Sequence, residues 1–177
     1  MRLFVSIDPP ADIADQLARI TALAGWPGAR ATAADHIHLT AHFIGEVGAR
    51  DLERTLESVD RAAAGLGSFT ITLNRLSPLP DAEAPRLVAA IADRPPPLME
   101  LHRRLVHRLA RRPREGDRFD PHLTLARFPQ PPGPLPPLPA LPAGLSFRVE
   151  HAAVKQSVLH PSGAEHRTIR LVSLGGA

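Results

Sequence analysis

His36-Ile37-His38-Leu39-Thr40-Ala41-His42-Phe43-Ile44 alternates polar and apolar side chains, and its central triplet returns later in the chain as His122-Leu123-Thr124. Successive side chains of a strand point to opposite faces. Ile37, Leu39, Ala41 and Phe43 therefore share one face, and His36, His38, Thr40 and His42 the other. The polar face carries too many imidazoles to be core. Around the second copy, Leu123 and Leu125 oppose His122 and Thr124 in the same way, so each triplet sets an imidazole beside a hydroxyl on one strand face. Two such strands facing each other bring two imidazoles and two hydroxyls into one cleft.

Outward from the first triplet, residues 2–7 read as a strand, and Asp8-Pro9-Pro10 as an N-cap followed by prolines suited to a first helical turn. Ile13, Leu17, Ile20 and Leu23 or Ala24 fall at helical spacing, with Gly25 to end the helix. The motif strand, about 36–44, is closed by Gly45 and Gly48. Leu52, Leu56, Val59 and Ala63 predict a second helix stopping near Gly65, and strands follow at about 68–76 and 86–92. Pro95-Pro96-Pro97 introduces a third helix with Leu98, Leu101, Leu105 and Leu109 as its buried stripe, ahead of the second motif strand. Residues 129–142 hold eight prolines without helical or strand period and read as a polyproline-like surface loop. Two strands, about 146–156 and 166–174, close the chain. Strands joined directly to one another predict an α+β fold with antiparallel sheet, in one domain over 1–177.

With 177 residues, 44% of them apolar, the chain has material for one sizeable core. No apolar run reaches the ~18 residues of a membrane span, and Asp8 stops the apolar start too soon for a signal peptide, which leads to the expectation of a soluble cytoplasmic protein. The absence of cysteine excludes disulfides, thiolate metal sites and cysteine nucleophiles. The net charge of +3 identifies no partner, although nearly all the cations are arginine and Lys155 is the single lysine. Arginine suits bidentate phosphate contacts; a biased genome accounts for the same usage.

His38-Leu39-Thr40-Ala41-His42-Phe43-Ile44-Gly45-Glu46-Val47, Pro121-His122-Leu123-Thr124-Leu125-Ala126-Arg127, the opening Arg2-Leu3-Phe4-Val5 and the late Ser157-Val158-Leu159-x-Pro161-x-Gly163-Ala164 resemble the two-histidine phosphoesterase superfamily. Within it the chain is most similar to the RNA 2′,3′-cyclic phosphodiesterases, also called 2′-5′ RNA ligases. The resemblance implies two pseudo-symmetric lobes of antiparallel sheet with outer helices and a cleft between them. It also implies metal-independent hydrolysis of a cyclic phosphate to a 2′-phosphomonoester, with His38 as proton donor, His122 as proton acceptor and no cofactor; a monomeric protein is expected. Its substrate is expected to be RNA ending in a 2′,3′-cyclic phosphate or a small cyclic nucleotide, with 2′-5′ ligation as a minor activity.

The residue types suit this chemistry. Water attack on a cyclic phosphodiester needs one group to take a proton and another to protonate the leaving alkoxide, and two imidazoles near pKa 6.5 can supply both forms at neutral pH. Sequence alone does not say which histidine does which. Thr40 and Thr124 are expected to donate to non-bridging oxygens as charge develops on them. Arg127 and His42 are the substrate-binding candidates. Strict alternation from His122 points Arg127 away from the cleft, so a phosphate contact there requires a bulge or strand end; a surface ion pair is the other reading.

Two rival functions use the same residues. His36-x-His38 is a metal-ligand spacing, with His122 as a third ligand, but it gives the two threonines no task. A non-catalytic nucleotide or RNA binder could keep the cleft without the chemistry. Arg103, Arg104, Arg108, Arg111, Arg112 and Arg114 read either as a helix end favoured by the dipole or as an RNA-backbone rail. His102, His107, His151 and His160 read as ordinary surface or satisfied histidines. Ala31 and His166 stand where relatives often carry an aromatic residue and a tyrosine, and with no tyrosine and one tryptophan base stacking looks under-supplied.

Overall fold

In the computed structural model, which describes residues 1–110, 119–160 and 163–175, the apolar N-terminal run forms β1 (Arg2–Ile7) and buries every residue after Arg2. Helix α1 (Ala11–Ala24) follows and buries Ile13, Ala14, Leu17 and Thr21, with Ile20 and Ala24 of the stripe read from the sequence partly buried. Gly25 ends it with φ 54°, a left-handed conformation that glycine adopts without a Cβ clash, and its N–H reaches Thr21 O at 3.3 Å. Leu23 is 88% exposed, off the stripe. Asp8 does not cap this helix. Its carboxylate accepts from Ser6 Oγ at 3.1 Å and from Lys155 Nζ at 2.7 Å, so the single lysine draws it toward the sheet.

The rest of the chain is β2 (Arg30–Ala31), a 3-10 turn Ala34–His36, β3 (Leu39–Glu46), α2 (Leu52–Ala63), β4 (Phe69–Leu79), β5 (Leu87–Ala92), α3 (Pro96–Leu109), β6 (His122–Arg127), β7 (Ser146–Val149), β8 (His151–His160) and β9 (Gly163–Ser173). The described strands form one sheet in the order β7-β4-β5-β6-β3-β1-β8-β9, with β2 joined to β6. Every pairing is antiparallel. This is the α+β architecture that directly linked strands predict.

The strand order is pseudo-symmetric about the β3–β6 contact. On one side β1, α1 and β3 follow in sequence, with β8 beside β1; on the other β5, α3 and β6 follow, with β4 beside β5. The helices are exchanged: α1 packs on β6 and α3 on β3. Leu98, Leu101 and Leu105 of α3 are fully buried. Each lobe therefore supplies the floor beneath the other's motif strand.

Two expectations are corrected. The motif strand starts at Leu39, because residues 34–36 close a 3-10 turn with Ile37 N–H on Ala34 O at 3.1 Å. The strand expected at 146–156 is two strands, β7 on β4 and β8 on β1, parted at Glu150. The proline-rich segment carries no regular element, yet Leu135, Leu138 and Leu141 pack on the core. Their spacing of three matches the three-residue turn of polyproline helix, which lines up one apolar face.

Candidate active site

β3 and β6 meet at one pair, Leu39 opposite Leu123, both fully buried. Continuing that antiparallel register sets His38 across from Thr124 and Thr40 across from His122, so each imidazole faces the other lobe's hydroxyl. Beyond this point β3 stays with β1 and β6 with β5. The strands part, and all four side chains line a cleft of about 1130 Å³.

Both imidazoles are anchored alike. His38 Nδ1 lies 2.7 Å from His36 O, and His122 Nδ1 lies 2.8 Å from Asp120 O. A carbonyl oxygen only accepts, so Nδ1 carries the hydrogen in each ring and Nε2 is left to exchange protons. Neutral, that Nε2 is a base; protonated, it is an acid.

Burial pushes the His38 pKa down to about 4, and the positive charges of Lys155 and His166 push the same way, against the raising effect of the His36 carbonyl. His38 is thus neutral in the empty cleft at neutral pH. His166 is lowered as well, first by burial and then by His36. The rings of Phe4 and His166 lie 5.1 Å from that of His38, and His36 is 5.4 Å from His166. Lys155 is itself buried and held by Asp8. Lys155→Met is expected to raise the His38 pKa above about 4 while leaving it below 6.5, because burial, the larger cause, stays. Titration of the histidine ring resonances by NMR reads this shift.

The two motif strands share an irregularity. Val5 pairs with His42 but Ser6 with Thr40, which makes Ala41 an extra residue; Val88 pairs with Ala126 but Ala89 with Thr124, which makes Leu125 one. Each bulge follows directly on the motif threonine, and one extra residue inverts the alternation beyond it. Phe43 and Arg127, both five positions after their histidine, consequently line the cleft. Phe43 is 74% exposed instead of in the core. Arg127 meets the bulge condition set by the sequence, and it has no described carboxylate partner.

His42, a substrate-binding candidate from the sequence, is not among the residues lining the cleft. The same bulge turns it out of the cleft and against α3, where its ring meets His102 at 6.2 Å. His102 is satisfied, with Nδ1 2.7 Å from Ala41 O and its ring stacked on Phe119 at 4.0 Å. His36 belongs to the turn and not to the strand face, although it lines the cleft with His38. Among the described residues no three His, Asp or Glu side chains come together as a metal site. Arg103 and Arg104 are spent on Glu100, which both hold at 2.7–2.8 Å. Arg111, Arg112, Arg114 and Pro161 lie outside the described residues. Sequence reading missed Phe4, Phe43, Arg30 and Arg86 in the cleft, and the bulge that brings Phe43 there shows only in the pairing with β1.

No described helix is long and apolar enough to cross a membrane. A family profile described as LigT-like phosphoesterase matches residues 7–89, a span that contains the first triplet. The chain is 27% identical over 176 residues to an RNA 2′,3′-cyclic phosphodiesterase of Archaeoglobus fulgidus, covering 97% of this chain and 99% of that one. Its fold matches that of a Thermus thermophilus protein with TM-score 0.85, 28% identity and 99% of each chain covered. E. coli LigT complexed with 3′-AMP matches with TM-score 0.85 and 26% identity, again over 99% of each chain.

Proposed function

We propose that the chain, which resembles the LigT-like phosphoesterases of the two-histidine superfamily, hydrolyses RNA 2′,3′-cyclic phosphate ends to 2′-phosphomonoesters by two-imidazole acid–base catalysis. The observation that carries this reading is the pair of like-anchored imidazoles from the two lobes lining one cleft. Water attacks phosphorus while His122 Nε2 takes its proton. The bond from phosphorus to the 3′-oxygen breaks, and His38 Nε2–H protonates that oxygen. His38 ends neutral and His122 protonated, and exchange with solvent restores the starting forms.

The low pKa of His38 bears on its role. A phosphodiester entering the cleft sets a negative charge beside a buried ring, and an opposite charge within ~4–6 Å favours the imidazolium by roughly 1–3 pKa units. Substrate binding therefore raises the fraction of His38 that carries the proton. Thr40 and Thr124 donate to the non-bridging oxygens, and Arg127 adds a cation on the β6 wall. This scheme takes no step through a metal or cofactor. A 5′-hydroxyl in place of water gives a 2′-5′ phosphodiester by the same proton transfers, which makes ligation a minor companion reaction.

The test is incubation of the purified protein, with chelator, with an oligonucleotide ending in a 2′,3′-cyclic phosphate. The expected product is the 2′-monoester, identified by phosphorus NMR. The 3′-monoester, or loss of activity to the chelator, overturns the scheme.

A further inference from the structure

The two walls of the cleft differ in chemistry although the strands that build them are pseudo-symmetric. Phe4, Phe43, His36 and His166 give the β3 side flat rings. The β6 side carries Arg30, Arg86 and Arg127. Arg30 pairs directly with Arg127 in the β2–β6 register. On the other edge of β6, Arg127 pairs with Leu87, and the neighbouring Arg86 accepts the Phe128 N–H at 2.9 Å through its carbonyl.

Like charges directly opposite on neighbouring strands are destabilising. Several arginines outside the cleft are held by carboxylates: Arg94 by Asp120, Arg103 by Glu100, Arg148 by Glu150 and Arg170 by Glu53 and Asp60. Arg30, Arg86 and Arg127 have no carboxylate partner among the described residues. Glu165 is the one described carboxylate lining the cleft, and Arg167 contacts it at 3.3 Å. Three cations lining one wall, two of them directly opposite across β2 and β6 and none with a carboxylate partner among the described residues, suit an anion from outside.

The cleft holds more room than one phosphoryl group uses, about 1130 Å³ against the roughly 300–1,000 Å³ of most small-ligand sites. Arg127 lies three residues beyond Thr124, on the order of 10 Å along a strand, so its neighbours reach a second phosphate more readily than the one at the seam. Resting on the cyclic phosphodiesterase reading, we propose that Arg30 and Arg86, flanking Arg127, form a subsite for a phosphate on the 5′-oxygen of the terminal nucleotide. The cleft then takes an RNA end, in which every chain of two or more nucleotides carries that phosphate, in preference to a bare cyclic nucleoside phosphate.

The experiment compares kcat/KM for three substrates with the same terminal base and a 2′,3′-cyclic phosphate: a mononucleotide with a free 5′-hydroxyl, the same with a 5′-phosphate, and a dinucleotide. The last two are expected to exceed the first by about tenfold or more, the discrimination of one good charge-assisted contact. The exposed double variant Arg30→Ala/Arg86→Ala is expected to bring that ratio close to one and to flatten the salt dependence of the dinucleotide reaction. Equal kcat/KM for all three in the wild type overturns the subsite, as does an advantage confined to the dinucleotide, or a variant that lowers every substrate in proportion. If the wild type turns over none of them, the hydrolase reading fails. Calorimetric affinities for the corresponding 2′-phosphorylated products then decide the subsite by the same ratio.

Discussion

His38→Ala and His122→Ala are each expected to lower kcat for a 2′,3′-cyclic phosphate by about 10²–10⁴, the usual worth of a positioned general acid or base. Neither change should disturb the fold, because the anchoring partners are backbone carbonyls two residues earlier in the chain rather than core side chains. The double variant should fall little below the slower single one, since donor and acceptor act in one step and their losses do not add. Unchanged hydrolysis in both single variants would remove the imidazoles from the mechanism and leave the cleft as a nucleotide-binding site.

The pH profile separates the two roles. In kcat/KM, which reports the free enzyme, the limb belonging to His38 is expected near pH 4, where burial holds its pKa. As donor, His38 is active when protonated, so activity falls as pH rises through that limb. As acceptor it would be active when neutral, and activity would rise through the same limb. In kcat the limb is expected at higher pH, because the bound phosphodiester favours the charged ring. The limbs are properties of the coupled pair, so the assignment rests on which of them His38→Ala abolishes.

How much of this is legible in the sequence follows from which interactions are local. The helix stripes at Ile13 and Leu17, at Leu56 and Val59, and at Leu98, Leu101 and Leu105 follow from periodicity alone and are buried as read. The two triplets share a cleft because alternation fixes which face their histidines occupy. Alternation misplaces His42 and Phe43 because a bulge at Ala41 depends on pairing with β1, and no local pattern shows an extra residue in a partnered strand. Asp8 looks like a cap until Lys155 is brought beside it from the far end of the chain. The Arg30–Arg127 pairing is likewise a product of register, invisible where the residues are distant in sequence.

Leu123→Ala is expected to destabilise the protein by about 2–5 kcal/mol, because Leu123 is fully buried at the single ladder pair of β3 and β6 and truncation leaves a cavity that the sheet cannot close. For a chain of this size that corresponds to a fall in Tm on the order of 5–20 °C, read by calorimetry or circular dichroism. Phe43→Ala, five positions after the first histidine but exposed, should leave Tm within about 2 °C. The seam also sets the distance across which the two imidazoles work. Measured well below the lowered Tm, Leu123→Ala should therefore lose kcat as well, since a misplacement of about 1 Å between reacting groups can cost 10²-fold. A variant that melts early yet keeps full kcat would show that the lobes are registered by the exchanged helices α1 and α3, each packed beneath the other lobe's motif strand, and that the Leu39–Leu123 pair contributes stability alone.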